Sequence, residues 1–395
     1  MLNQKRINLV LKRMADFGYD HFLITEPETI DYLIGYLNYP HERTYVMALS
    51  QEGDHRLFFN QLFYVDEDLG LPITWFSDAD DSLALIASYL KDAKHVGVDK
   101  NMPARYLLPL MAKTSATYEV GSACVDLVRG VKDVHEQELM IKASEINDQA
   151  MAQMKDLLST GQYSEKEMDP QLLAIYKSYG ATDHSFEPIV GYGENGANPH
   201  HMNDGTMLKE GDSIIVDMGC VYEGYCSDMT RTFFYKKVSD KQKEVYNLVL
   251  KAQLAAQAAI KPGVRLADID RIARDIITEG GYGPQFNHRL GHFIGRLCHE
   301  AGEVNATSDI IAEEGMIFSI EPGVYLPHEF GVRIEDLVLV TKDGVKILNH
   351  YPKDLQVIGY RTNCYQKHRN MYVNIDKSGH IKSLVYGLTI GFEPK

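Results

Sequence analysis

Five ionisable residues interrupt segments whose apolar content otherwise marks them as buried strands: Asp217 in SIIVDMG, Asp228 in GYCSDMTRTF, His292 in LGHFIG, Glu321 in MIFSIEPG and Glu335 in GVRIEDLVLV. Burying an ionised carboxylate is costly unless an opposite charge is placed against it. A chain that folds these segments into a core must therefore gather the five around a positive partner. Four carboxylates carry four negative charges, which two divalent cations balance.

The spacing supports that partner. Asp217 ends an apolar run, Tyr222, Glu223 and Gly224 supply a turn, and Asp228 lies about as far beyond the turn as Asp217 lies before it. An antiparallel hairpin is predicted to set the two face to face, with Cβ atoms about 4.5 to 5.5 Å apart. Like charges at that distance repel, and a cation between them turns the penalty into binding energy. Glu321 and Glu335 repeat the pattern, each after an apolar strand, with the Pro- and Gly-rich EPGVYLPHEFGVR turning the chain between them. His292 adds a neutral nitrogen donor, which suits transition metals better than Ca²⁺ or Mg²⁺. Two such ions, about 3.5 to 4 Å apart, form a hydrolytic clamp.

At 395 residues the chain is long enough for two domains. Residues 1–125 read as a small α/β domain. Ile7, Val10, Leu11 and Met14 define an amphipathic helix stopped by Gly18, HFLIT is a short strand, and YVMALS and RLFFN flank a turn at Glu52, Gly53 and Asp54. A helix around LALIASYL and a strand at HVGVD complete it. Residues 126–360 read as a unit that repeats itself. Asp133 and Glu136, then Ser164 and Glu167, start two helices that lead into strands ending near Phe233. From Ser239 and Gln242 the order of two helices followed by strands recurs. Residues 361–395 fit neither half, and the alternating MYVNI and SLVYGLTI around DKSGH predict a hairpin or an appended segment.

The net charge of −15 argues against nucleic-acid binding and offers no basic patch to anionic lipid. Five scattered cysteines without CxxC spacing imply a reducing compartment rather than a disulfide framework. The N-terminal segment lacks the apolar core of a signal peptide, and no run approaches the roughly 20 apolar residues of a membrane span. A cytoplasmic protein is the expectation.

GYCSDMTRTF, GHFIGRLCHE, FSIEPGVY and GVRIEDLVLV resemble the signature segments of the pita-bread metallopeptidases, especially Xaa-Pro dipeptidases (prolidases) and Xaa-Pro aminopeptidases. The resemblance runs to about Ile358. It implies an α/β (α+β) architecture, with a creatinase-like N-terminal domain followed by a catalytic domain of pseudo-twofold symmetry. It also implies two divalent metal ions, Mn foremost with Co, Zn or Fe as alternatives. Asp217 would be a bidentate ligand of one ion, Asp228 and Glu335 bridges, and His292 and Glu321 ligands of the other. His200, His288 and His299 match histidines that contact substrate or the tetrahedral intermediate, and Phe186 matches an apolar wall position. His201 and His184 are left as bystanders.

The mechanism implied is attack of a hydroxide bridging the two metals on the carbonyl before proline, with Glu321 relaying the proton to the leaving nitrogen. The substrate would be a short proline-containing peptide. A dipeptidase must also recognise a free carboxylate behind proline, for which a guanidinium is the best partner. Arg289, three residues before His292, is the first choice, with Arg333 in a supporting role. The NYPHERTY loop, with His41, resembles a mobile loop of bacterial prolidases, and a homodimer is expected. An aminopeptidase acting on longer peptides is the alternative. A metal-free amidinohydrolase or a binding module of the same fold is disfavoured by retention of all five ligands.

Overall fold

The computed structural model describes residues 2–360 together with the strands Met371–Ile375 and Ile381–Tyr386. The chain divides into two compact units, Met1–Val131 with Glu300–Gly302, and Lys132–His299 with Glu303–Lys395. The break expected at residue 125 falls inside the helix Ala123–Gly130. Val125 and Val128 of that helix are buried in the same core as Ile7, Val10 and Met14, so the helix stays with the first unit.

The first unit is a mixed sheet of six strands covered on both faces. In spatial order these are Ile73–Phe76, Arg56–Asn60, Tyr45–Ser50, His21–Ile24, His95–Val98 and Thr117–Val120. The helix Gln4–Phe17 presents Ile7, Val10 and Met14 to one face and ends at Gly18, whose φ of 79° reverses the chain. Complete burial of each of those side chains stabilises the unit by about 1.5 to 3 kcal/mol. Helices Ser82–Tyr89 and Ala104–Lys113 cover the other face through Ile86 and Leu110.

The second unit builds the same motif twice. The first half contributes helices Val134–Thr160 and Glu165–Ser178, then three antiparallel strands, Ile189–Tyr192, Ser213–Met218 and Met229–Tyr235. The second half contributes helices Asp240–Ala258 and Leu266–Glu279, then Gly291–Phe293, Ile317–Ile320 and Asp336–Thr341, again antiparallel neighbours. The expected duplication is thus present in the architecture, and the three predicted start signals are capping boxes. At the first of them, Glu136 N donates to Asp133 Oδ1 (3.0 Å) while Asp133 N donates to Glu136 Oε2 (2.9 Å). The long first helix is tied to the strand that carries Asp217. The buried Asn147 donates its Nδ2 to Met218 O (2.8 Å) and accepts from Tyr176 OH (2.6 Å).

A buried polar clamp locks the halves behind their strand ends. Arg231, three residues after Asp228, donates to Glu335 O (2.6 Å), Tyr351 O (2.8 Å) and Asp336 Oδ1 (2.7 Å). Asp336 also accepts from Lys353 Nζ (2.6 Å), Gln253 Nε2 (2.8 Å) and Gln257 Nε2 (2.9 Å). Burial works against the ionised Asp336, but the Arg231 and Lys353 charges outweigh it and hold the carboxyl at about 2.

In the C-terminal segment, Met371–Ile375 and Ile381–Tyr386 pair antiparallel, matching the expected hairpin; the rest of residues 361–395 lies outside the described residues. Among the described residues no helix is long and apolar enough to cross a membrane.

Asp336→Asn leaves Arg231 and Lys353 buried without a countercharge, a loss of about 3 to 5 kcal/mol that urea unfolding at neutral pH will read as a lower midpoint. Because the folded pKa is depressed, this contribution is complete above about pH 4 and disappears as pH falls through about 2.

Candidate active site

Strand register decides where the acidic residues meet. The turn at Glu223 and Gly224 has positive φ at both positions (46° and 80°), the signature of a two-residue hairpin connection. It sets Tyr222 against Tyr225, Val221 against Cys226, Met218 against Met229, and so Asp217 against Thr230. Contrary to the prediction from spacing, Asp217 and Asp228 therefore do not face each other directly. Asp228 stands two residues before Thr230 and thus on the same side of the strand. In the second half, Ile320 pairs with Asp336 and Gly323 with Arg333, which puts Glu321 and Glu335 at directly opposed positions.

These strand ends open onto one cavity of about 260 Å³. It is lined by Asp217, Asp228, His292, Glu321 and Glu335, and also by Phe186, His200, His288, His299, Arg289 and Arg333. Of the residues singled out in the sequence, His41 is the exception. It belongs to the first unit, in a turn at φ 54°, and is not part of this lining.

Each ligand candidate has one oxygen or nitrogen held and another left over. Arg333 Nη2 donates to Asp217 Oδ2 (2.7 Å), and Thr230 Oγ1 donates to Glu335 Oε2 (2.8 Å). Asp217 Oδ1, Asp228 Oδ1 and Glu335 Oε1 are buried without a hydrogen-bond partner. His292 directs Nδ1 at Phe293 O (3.1 Å), so that nitrogen carries the proton and Nε2 presents its lone pair 3.5 Å from both Asp228 Oδ2 and Glu321 Oε1. Ser319 Oγ accepts from His292 N (3.0 Å) and donates to Glu321 Oε1 (3.2 Å), fixing both. Donor atoms of Asp228, His292 and Glu335 lie within 4.8 Å of one another. Unpartnered carboxylate oxygens grouped with a correctly oriented imidazole fit divalent cations.

The electrostatics agree. Burial, then the charge of Asp217, raises Asp228 to about 6 against the pull of His292. Burial raises Glu321 to about 7, and burial with the surrounding carboxylates raises Glu335 well above its ordinary value. Burial disfavours the charged form of His292, yet Asp228 and Glu321 outweigh it and raise that histidine. His288 and His299 move the other way. Burial and the Arg333 charge lower His288 to about 3, while shielding and the neighbouring His292 lower His299 to about 4. Both are neutral imidazoles at pH 7.

His288 has both nitrogens engaged. Nδ1 donates to Arg289 O (2.7 Å), leaving Nε2 to accept from Tyr325 OH (2.9 Å), while Tyr325 accepts from Arg333 Nη1 (2.8 Å). Its geometry therefore makes it the holder of Tyr325 rather than a group free to touch substrate. Arg289 also has a partner, Glu303 Oε1 at 2.7 Å, and both side chains of this pair are partly exposed. Tyr325 was overlooked in the sequence although it lies inside FSIEPGVY, and Thr230 and Ser319 flank the ligand candidates Asp228 and Glu321 at the alternate spacing that puts strand residues on one side.

The buried Glu165 was missed too. It accepts from Tyr192 N (2.8 Å), Asn195 Nδ2 (2.9 Å) and Asp204 N (3.2 Å), and pairs with His201 Nε2 (2.7 Å). These bonds pin the loop that carries His200. Gly331 lets this loop pass closely, since a Cβ there would sit 1.9 Å from Gly196 O. His201 is therefore a structural tether, and His184 pairs with Asp169 (2.8 Å) away from the lining.

Residues 138–342 match metallopeptidase family M24, and residues 6–131 match the Creatinase/Prolidase N-terminal domain. An uncharacterized peptidase of Staphylococcus aureus strain MW2 is 34% identical over 356 residues, covering 88% of this chain and 99% of the relative. Dipeptidase PepE from Mycobacterium ulcerans superposes with a TM-score of 0.85 at 32% identity, covering 90% of this chain and 97% of that one. The Xaa-Pro dipeptidase from Bacillus anthracis gives 0.82 at 30% identity, with 90% and 99% covered. The chain belongs to metallopeptidase family M24. Its fold is the creatinase-type N-terminal domain joined to the pita-bread catalytic domain, and it is a peptidase.

The raised carboxyl groups set a pH dependence. Their unfolded pKa values are about 4, so between pH 4 and 7 the folded metal-free protein binds more protons than the unfolded chain and loses stability as pH rises. A divalent cation replaces those protons. The rise in Tm caused by Mn²⁺ over chelator-treated protein should be small near about pH 5 and grow through about pH 6 to 8. A rise independent of pH would contradict the assignment of these carboxylates as ligands.

Proposed function

We propose that this peptidase is an Xaa-Pro dipeptidase in which Asp217, Asp228, His292, Glu321 and Glu335 hold two divalent cations, manganese foremost. The observation that carries the reading is the convergence of these five residues, three of them with a buried unpartnered oxygen, in a single small cavity. Its volume of about 260 Å³ falls below the roughly 300 to 1,000 Å³ of drug-sized pockets, which suits a short substrate. The dipeptidases among similar structures point the same way.

When bound, the cation pair supplies an activated water and an electrophilic partner for the peptide carbonyl. The protein's own groups do the rest. Arg333 and Thr230 fix one oxygen each of Asp217 and Glu335, so the other oxygen is presented inward without a loss of side-chain freedom on binding. Glu321, whose Oε1 is held by Ser319, relays a proton from Oε2 to the leaving proline nitrogen. His299, neutral at pH 7, and His200 donate N–H to the oxygen on which negative charge develops, and Tyr325 is aimed by His288 and Arg333. Phe186 lines the apolar wall.

Specificity for dipeptides falls to Arg289. Its pair with Glu303 is partly exposed and so worth only about 0 to 1 kcal/mol, which a substrate carboxylate can replace. Hydrolysis of Leu-Pro with added Mn²⁺, and its loss in chelator, is the first test. Leu-Pro should be cleaved faster than Leu-Pro-Ala; the reverse order would make the enzyme an aminopeptidase. Arg289→Ala should raise KM for Leu-Pro by about ten- to a hundredfold, the equivalent of one charge-assisted contact of roughly 1.5 to 3 kcal/mol, with a smaller change in kcat. An unchanged KM would remove Arg289 from carboxylate recognition.

A further inference from the structure

Cys298 lines the same cavity and has no part in the chemistry described above. Its Sγ lies 3.5 Å from Asp228 Oδ2. That same oxygen is 3.5 Å from His292 Nε2, and His292 Nε2 is in turn 3.5 Å from Glu321 Oε1. Ligand atoms of Cys298, His292 and His299 all fall within 4.8 Å of one another. A tetrahedral ion with metal–sulfur bonds of about 2.3 Å and metal–nitrogen or metal–oxygen bonds of about 2.1 Å separates its donors by roughly 3.4 to 3.6 Å. The three 3.5 Å separations along Cys298 Sγ, Asp228 Oδ2, His292 Nε2 and Glu321 Oε1 match that edge length. The Cys298 thiol donates to Asp228 Oδ2, and the other oxygen of that carboxylate, Oδ1, is buried without a partner on a side chain with 4% exposure, which points to a cation at Asp228 independently of the sulfur.

We propose that Cys298 is a thiolate donor to the cation on the His292 side of the centre, so that thiophilic ions such as zinc(II), cobalt(II) or cadmium(II) compete with manganese(II) at that position. The inference rests on the two-cation reading above. Thiolate is the softest donor the twenty side chains offer, and it biases an otherwise oxygen-rich set away from hard ions. The chemistry is a ligand exchange without redox change. The S–H bond breaks, its proton leaves to water, and a sulfur–metal bond forms in its place. The two ion positions then differ, one bound by Asp217 and shared carboxylates, the other by imidazole and sulfur.

The test uses the full chain, stripped of metal with chelator and titrated with cobalt(II). The wild type should develop a sulfur-to-cobalt charge-transfer band in the near ultraviolet, and Cys298→Ser and Cys298→Val should lack it while still binding cobalt. Circular dichroism confirms that each variant folds, and the isosteric serine serves if valine does not. Cadmium(II) affinity measured by calorimetry should fall by more than about tenfold in the variants, the lower limit of what even an outer partner's loss costs, with manganese(II) affinity changing less. Stoichiometric cobalt binding by the wild type without the band, or a band that persists in the variants, overturns the proposal. A protein that hydrolyses Leu-Pro yet lacks the band loses only the sulfur ligand. One that shows the band but cleaves no Xaa-Pro peptide loses only the Xaa-Pro dipeptidase reading.

Discussion

Repulsion among buried carboxylates is the constraint around which the second unit is organised. Asp228 and Glu335 bring oxygens within 4.8 Å of each other, where two unit charges repel by roughly 3 to 4 kcal/mol at an effective dielectric of about 20. Asp217 and Glu321 add to that field. Arg333 is the buried countercharge in direct contact with the group, through Asp217, and it leaves a deficit of positive charge that protons or divalent cations must fill. The raised carboxyl groups are the metal-free protein's answer to that deficit.

The scaffold makes such crowding tolerable by fixing the charged groups before any ion arrives. Arg231 and Asp336 bind the strand ends of the two halves through a network in which every partner is satisfied, the condition under which buried polar groups stiffen a core. Thr230, Ser319 and Arg333 then determine which atom of each ligand candidate faces the cavity. A preset geometry of this kind supports both ion binding and the differential recognition of a transition state.

Alternation and spacing exposed much of the fold. Helix starts at Asp133, Ser164 and Ser239 were readable because a cap and its partner three residues later are a local chemical unit. The five ligand candidates were readable because ionised groups inside apolar strands violate the pattern around them. The relation of Asp217 to Asp228 was misjudged by two residues of register, a shift that keeps both side chains on one face. The positive φ values at Glu223 and Gly224 place the turn centre between those two residues, and a shift of that centre moves every cross-strand partner.

The sequence by itself determined the chemical inventory: four carboxylates, an imidazole and an arginine set in strands or at their ends, in two halves of like order, with a charge imbalance that calls for cations. Those properties depend on residue type and short spacing, which survive without coordinates. Tertiary structure decided which atoms are free. It engaged both nitrogens of His288, paired Arg289 with Glu303, tethered the His200 loop through Glu165 and set Cys298 beside Asp228. Each of these contacts joins residues between 14 and 70 positions apart, or, at His288, a distant hydroxyl with a neighbouring carbonyl. Hydrogen-bond direction and ångström-scale approach across such separations follow from packing and strand register, not from local sequence pattern.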